Sequence, residues 1–443
     1  MVRFQKNREK KASNLLLAKR PQRRIASAFS KSDIRKCELC FSSSIFENYS
    51  FMTDSVYSGD DVSAVVFDLG SSSIRAGYGG LYASPQVEIP STAGVKDPGN
   101  GDKKTYFIGD PNVGIARAST ELKRYIRNAN VSDWDLFEVV FENIMNYHLR
   151  FDITQVPVLF IESNVYNRQH REKLAEIMFE KFNAQAICVM PSAPLIAMKR
   201  DHARSTIVDV GHDGTTVSVV SRAYLLRNSV VSSSIGTDYF ASTIGTVLDE
   251  RGTEILPPAA VELHPSCLDY RQKAVLHDFA ASTLMYSRKP LPASGPVPGE
   301  SATFELPTRK EVTFDARTRF SITEGLFNPS YLVDEQASGH KGLVSMIRES
   351  VDNIDPDSIL PSYSHIFVNG GGALIKNFVD RLQNELNQLP PRISARVNNG
   401  VKVYDPRFDA WRQGAIFVGT GTSGQLWCSK SQFRDGSSIL HHF

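Results

Sequence analysis

The stretch that decides the fold is AVVFDLGSSSIRAG, residues 64–77. Its apolar run reads as a buried β-strand, Gly70 as a turn, and the segment from Ser73 as a returning strand. Asp68 closes a strand that is otherwise apolar. Gly70 permits the backbone angles of a tight turn, and Ser71, Ser72 and Ser73 then offer N–H and hydroxyl donors. Such donors suit a phosphate group, and the Asp68 carboxylate suits a divalent cation held through water. Taken alone, the segment reads as an ordinary hairpin, because Asp and Gly are good turn residues.

The pattern recurs. STIVDVGHDGTTVS, residues 205–218, repeats the apolar run, Asp, one residue, Gly, small polar residues and β-formers, about 140 residues further on. That spacing is too long for a solenoid and suggests two similar domains. Asp209 and Gly211 stand where Asp68 and Gly70 stand. Two carboxylates on facing hairpins suit one magnesium ion lying between a nucleotide's phosphates and both domains. A third element, Gly370, Gly371 and Gly372, follows the strand HIFV and is expected to open a helix. Amides at a helix N-terminus suit an anion, and residues without side chains let a ring or sugar approach the main chain. His212 invites a metal or acid–base role. No ligand partners are spaced around it, so it reads as a hydrogen-bonded structural residue.

The remaining chain fits an α/β protein. WDLFEVVFENIMNYHLRF (134–151) and NRQHREKLAEIMFEKF (167–182) carry apolar stripes at helical spacing, with the strand VPVLFIES between them. YRQKAVLHDFAASTLMYS (270–287) reads as one helix in a poorly periodic region from Pro257 to Ser321. DAWRQGAIFVGTGTSGQLWCS (409–429) reads as an apolar segment bent at its glycines, with Trp411, Phe417 and Trp427 in the core. The hydrophobic share of 41% and charged share of 22% are ordinary for a globular chain of 443 residues. A net charge of +2 argues against a protein built to coat nucleic acid. No apolar run approaches the roughly 20 residues of a membrane span. Cys37 and Cys40 have a zinc-like spacing but no second pair, and read as unrelated thiols in a tail.

Residues 1–55 are expected to be a disordered basic extension, because so few apolar residues cannot offset the ordering entropy. Its Lys19–Arg24 cluster suits nuclear import and its composition overlaps with transit peptides. Met52 is an alternative start.

These motifs in this order resemble the actin superfamily, over nearly everything from Tyr57 to Phe443. The resemblance implies an actin-like (ribonuclease H-like) fold of two duplicated α/β domains around a nucleotide cleft. Domain I is expected over 56–208, closed by 390–443, and domain II over 209–389. Within the superfamily, YSGDDVSAVVFDLGSSSIRAGY, HDFAASTLMYS, TFELPTRKEVTF, EGLFNPS and LIKNFVDRLQNEL resemble the nuclear actin-related protein 4 class. That resemblance implies a non-filamentous nuclear subunit of chromatin-remodelling and histone-acetylating assemblies. Its implied partners are actin, a helical segment of a SWI/SNF-type ATPase or acetyltransferase scaffold, and histones. The implied ligand is ATP with Mg, held structurally if at all. Asp68 and Asp209 would take the metal through water. Gly70, Ser71, Ser72, Ser73, Arg75, Gly211, His212, Gly370, Gly371, Gly372 and Arg407 would line the nucleotide.

Departures from actin point away from catalysis. The glutamine that positions the attacking water in actin matches Ser192, which is too short to reach it. The acidic residue after the second hairpin's glycine is His212, and the lysine–glutamate pair on ribose and purine matches Ala280 and Ala281. Weak or absent hydrolysis is expected, since phosphoryl transfer depends on positioning and charge stabilisation. The competing readings are a working ATPase or sugar kinase, and a polymerising cytoskeletal actin.

Overall fold

The computed structural model describes residues 64–99, 101–198, 202–259, 261–332, 340–398, 405–420 and 426–435. The expectations for residues 1–55, including Cys37, Cys40 and the basic cluster, lie outside the described residues.

The described residues open with β1 (Val65–Leu69) and β2 (Ser73–Tyr78), the hairpin expected from residues 64–77. β3 (Val87–Pro90) returns beside β2. β4 (Thr92–Lys96), β5 (Thr105–Phe107) and β6 (Glu121–Arg124) form a small antiparallel sheet. β7 (Ile126–Arg127) and β8 (Asn130–Val131) make a tight hairpin after it. Helix α1 (Trp134–Asn143) is capped by the Asp133 carboxylate, which accepts from the Leu136 amide at 3.0 Å. It widens into a π-helical turn over Ile144–Leu149. β9 (Val158–Glu162), α2 (Arg168–Glu176), β10 (Ala186–Pro191) and α3 (Ser192–Met198) complete the first half.

β1 is apolar on both faces because both are covered, as in a parallel sheet. Val65, Phe67 and Leu69 face Phe137 and Phe141 of α1, with the Phe67 and Phe141 rings 4.9 Å apart. Val66 faces the other way, where its carbonyl accepts from the Trp411 indole at 3.2 Å.

The second half repeats the plan. β11 (Arg204–Val210) and β12 (Thr215–Ser221) form the second hairpin. β13 (Tyr224–Leu225) and β14 (Val231–Ser233) pair with β12. Helices α4 (Thr237–Glu250) and α5 (Pro265–Thr283), the hairpin β15 (Ala302–Glu305)–β16 (Glu311–Phe314), and α6 (Ala316–Glu324) follow. Then come α7 (Leu343–Asp352), α8 (Pro356–Ser364), β17 (Ile366–Asn369), α9 (Phe378–Leu386) and β18 (Val397–Asn398). α10 (Asp409–Gly419), β19 (Cys428–Ser429) and α11 (Lys430–Arg434) end the described chain.

The duplication is visible in strand order. One sheet runs β19-β10-β9-β1-β2-β3 and the other β13-β12-β11-β17-β18. In each, the hairpin's first strand pairs parallel with a later strand, β1 with β9 and β11 with β17. Each later strand pairs parallel in turn with the next, β9 with β10 and β17 with β18. The repeated sequence motif is thus a repeated sheet.

The structure corrects several expectations. The boundary at 208/209 falls inside β11, all seven residues of which pair with β12. The sheets change over between Met198 and Arg204. Residues 390–398 stay with domain II, since β18 pairs with β17. The C-terminal closure of domain I begins later, where α10 packs on β1 and β9 and β19 pairs with β10. Residues 409–419 are a helix and not a bent apolar run. Gly414 faces the sheet, where a Cβ would meet Ile161 Cδ1 at 2.9 Å, so it lets the helix settle closely. Trp411, Phe417 and Trp427 are buried, as expected. The region 257–321 holds the β15–β16 hairpin, whose short strands give too few residues for a periodicity signal. The helix expected over 270–287 begins earlier, at Pro265, and ends at Thr283. Among the described residues, no helix is long and apolar enough to cross a membrane.

Candidate functional site: two hairpins and a glycine turn

Asp68 and Asp209 occupy the same place in the two sheets, each one residue before its strand ends. They lie close enough for the Asp68 charge to be felt at Asp209. Burial pushes the Asp209 carboxyl up to about 6, against the lowering effect of its Asn369 hydrogen bond, and the Asp68 charge adds to the rise. Burial also raises Asp68, opposed by Arg75.

The two acids are compensated differently. Asp68 accepts from Arg75 at 3.2 Å, and Arg75 also reaches Glu88 at 3.3 Å and stacks over the Phe408 ring at 5.5 Å. Arg407 joins this group, with its guanidinium 5.2 Å from the same ring and 2.6 Å from Asp405. The hydrogen-bond partner of Asp209 among the described residues is neutral, the Asn369 amide at 3.2 Å, and the Arg75 charge acts on it from further away.

The glycine turn seats against the second hairpin. Gly370 has φ of 86°, and a Cβ there would lie 2.3 Å from the Val210 carbonyl and 2.6 Å from Asp209 Oδ1. A Cβ on Gly372 would meet Val210 Cγ1 at 2.2 Å. Gly371 has nothing within 4 Å of its Cβ position, so its bare backbone borders open space. The triplet does not open an α-helix, however. Gly371–Leu374 form a 3₁₀ turn and α9 starts only at Phe378, so the expected helix N-terminal amides are not at the glycines. Main-chain approach survives as their contribution; the helix-terminus argument does not.

The serines divide. Ser72 is exposed at the tip. Ser71 Oγ accepts from the Ala129 amide at 2.7 Å. Ser73 is buried on β2 and its hydroxyl donates to Glu88 at 2.9 Å, so a phosphate would find that hydroxyl already engaged.

A bridge that sequence reasoning missed joins the hairpin tips. The β7–β8 turn places Asn128 and Ala129 at φ of 50° and 52°. Both residues therefore adopt the left-handed region that a two-residue hairpin turn demands. Their amides diverge to the two halves: Ala129 to Ser71, and Asn128 to Asp213 Oδ2 at 2.7 Å. Arg124 completes the bridge, donating to the Ser71 carbonyl at 3.1 Å and pairing with Asp213. Burial alone would raise the Asp213 carboxyl, but the Arg124 and Asn128 hydrogen bonds hold it low.

Ser192 begins α3 at the cleft floor. Its hydroxyl donates to Asn164 at 3.2 Å, and Asn164 also accepts from the Ala193 amide at 2.8 Å. The far end of Asn164 reaches Thr216, the register partner of Asp209. Ala280 is buried in the core of the second half and Ala281 is exposed on α5.

His212 is not isolated, correcting its reading as a residue without partners. His277 of α5 and Asp238 of α4 come to it from 65 and 26 residues away. Burial lowers His212 to about 4, and the neighbouring His277 adds to this. Burial works to raise Asp238, but the His277 hydrogen bond and the Lys273 charge hold it below the usual carboxylate range.

The donor set at the cleft fits a nucleotide with a divalent cation. A buried carboxylate with a neutral hydrogen-bond partner, a second one nearby, and a bare backbone beside them are what such a ligand needs. Asn369 Oδ1 is also buried without a partner.

The sequence model of the actin family matches residues 59–442. Actin-related protein 4 of Arabidopsis thaliana is 28% identical over 439 residues, spanning 87% of this chain and 99% of its own length. Its counterpart in Oryza sativa subsp. indica is 27% identical over 434 residues, spanning 86% and 98%. That of Yarrowia lipolytica is 26% identical over 416 residues, spanning 86% and 95%.

Proposed function

This chain belongs to the actin family, and we propose that it is a non-filamentous nuclear subunit that holds Mg–ATP as a structural ligand and hydrolyses it slowly or not at all. In this reading it docks with actin on a helical segment of a SWI/SNF-type ATPase or acetyltransferase scaffold, and so serves chromatin remodelling and histone acetylation. Similarity over 86–87% of the chain to proteins named actin-related protein 4 supports the assignment.

The observation that carries the slow-hydrolysis reading is the state of Ser192. Its short side chain donates its hydroxyl proton to Asn164 and so does not offer it to a water. Bound Mg–ATP would supply a divalent cation and phosphate charge. The residues of this chain do the holding: Asp209 faces the cation, Arg75 stays anchored between Asp68 and Glu88, and Gly371 leaves its backbone open. Arg124 and the Asn128–Ala129 turn keep the hairpin tips together. These are binding roles, and none moves a proton.

Three measurements test this. Single-turnover hydrolysis is expected to fall well below that of an ordinary actin, and a rate at or above it overturns the reading. In polymerising salt the protein should stay in the supernatant. Affinity purification should recover actin and a remodelling ATPase, and a purely cytoplasmic set of partners would count against the nuclear role.

A further inference from the structure

Three side chains beside the second hairpin converge on one point. His212 follows the hairpin's glycine, Asp238 is the second residue of α4, and His277 lies on α5. Among the described residues, they form a group of three whose donor atoms all lie within 4.8 Å of one another. His277 Nε2 is 3.2 Å from Asp238 Oδ1, and His212 Nε2 is 3.9 Å from the same oxygen. The two rings are 4.9 Å apart and inclined at 34°.

From this convergence we propose that His212, Asp238 and His277 form a binding site for a transition-metal ion of the zinc type, separate from the magnesium expected at Asp209.

The main chain holds the site together before any ion arrives. The Thr237 and Asp238 amides donate to the Gly211 and His212 carbonyls, both at 3.0 Å. Gly236 allows this approach: a Cβ there would lie 2.4 Å from the His212 carbonyl and 2.5 Å from the Gly214 amide nitrogen. The distance between His212 and Asp238 is therefore set by backbone.

The spacing suits a small tetrahedral ion. Bonds of about 2.0–2.1 Å place neighbouring ligand atoms about 3.3–3.5 Å apart. The 3.2 Å separation is close to that value, and the 3.9 Å one closes with a small ring rotation. A plain His–Asp hydrogen bond accounts for His277 but not for a second imidazole nitrogen turned toward the same oxygen. Lys273 Nζ lies 3.8 Å from the other oxygen, Oδ2, and leaves Oδ1 to the imidazoles.

Ligand chemistry selects the metal class. Two imidazoles with one carboxylate suit zinc, cobalt or nickel, whereas magnesium and calcium prefer oxygen throughout. Asp213 Oδ1, 3.9 Å from His212 Nε2, stands nearest for a fourth position but is committed to Arg124. Water is the simplest fourth ligand. An ion here would pin the hairpin tip to α4 and α5.

The test is a Co²⁺ titration of the full-length, tag-free, metal-stripped protein, followed by visible absorption. One equivalent should give the intense ligand-field bands of a tetrahedral site, displaced by Zn²⁺ and not by excess Mg²⁺. His277→Gln, a substitution at a half-exposed position, should keep the metal-free melting temperature and weaken Co²⁺ binding by roughly tenfold to hundredfold. Asp238→Asn should do the same to binding. Absence of the bands, equal affinity in His277→Gln, or a cobalt–thiolate charge-transfer band marking a cysteine site would each overturn the proposal. Because the readout uses metal alone, it stands or falls independently of nucleotide binding.

Discussion

Replacing Asp209 by Asn is expected to stabilise the ligand-free protein while removing its response to Mg–ATP. The Asp209 carboxyl titrates at about 6 in the fold against 3.8 as a free side chain, chiefly because it is buried. The folded state therefore holds the proton more tightly than the unfolded state. The penalty is absent below about pH 4, grows between pH 4 and 6, and is complete at neutral pH. It comes to about 3 kcal/mol, at about 1.4 kcal/mol per tenfold difference in proton affinity. Asn keeps the acceptor for the Asn369 amide at 3.2 Å. Urea unfolding at pH 4, 5.5 and 7.5, with and without Mg–ATP, reads both effects. Without ligand, the variant should exceed the wild type by about 2–3 kcal/mol at pH 7.5, and the two should converge at pH 4. Ligand at a hundred times its dissociation constant should add about 2.7 kcal/mol to the wild type and far less to the variant. A ligand-free variant less stable than wild type at pH 7.5, or an unchanged gain from Mg–ATP, would refute the reasoning.

Other substitutions probe the frame around the cleft. Arg124→Ala removes the cation bridging Ser71 and Asp213; a loss of about 2–3 kcal/mol and faster amide exchange at Asn128 and Ala129 are expected. Gly370→Ala puts a side chain at φ of 86° against the Val210 carbonyl, and both stability and the Mg–ATP thermal shift should fall. Glu324→Ala removes one of two carboxylates on the buried Arg381, held at 2.6 and 2.7 Å, while Glu385 at 2.9 Å and the Ser287 and Lys289 carbonyls remain; a loss of about 1.5–3 kcal/mol in urea is expected, and Glu324→Leu with Arg381→Met should recover most of it. His170 is held down to about 4 by burial and then by Arg171, while its Nε2 accepts from the Val131 amide at 3.0 Å. Its contribution is complete above pH 6.5 and lost as pH falls toward 4, so His170→Gln should flatten the stability profile across that window.

What could be read from sequence is what is local. The two Asp-x-Gly hairpins announce themselves because strand, turn and acid fall within one short window each, and their likeness predicts a duplicated sheet. Asn369 was legible by the same logic, as a polar side chain ending an apolar strand just before the glycines, and it is the register partner of Asp209. Arg124, Asn128 and His277 were not legible. Their roles come from tertiary contact across 89, 85 and 65 residues, and no window joins Arg124 to Asp213 or His277 to His212. The Asn128–Ala129 turn lacks the Asn-Gly signature, so its left-handed pair of residues shows only in the backbone.

The duplicated hairpins match in backbone but not in charge, and this asymmetry assigns their labour. In the first copy a guanidinium 3.2 Å from Asp68 supplies the counter-charge, itself fixed by Glu88 and Phe408. In the second copy the hydrogen-bond partner of Asp209 among the described residues is a neutral amide, and the Arg75 charge reaches it only as a lesser influence. A divalent cation entering between them gains most from the less compensated acid, because there it replaces a desolvation penalty with a favourable contact. The second hairpin is then the metal side of the cleft, whereas at the first Arg75 stays shared between Asp68 and Glu88. One strand–turn–strand unit, used twice, yields two chemically different walls because the acid's hairpin partner changes from Arg75 to Thr216 and its parallel-strand partner from Ile161 to Asn369.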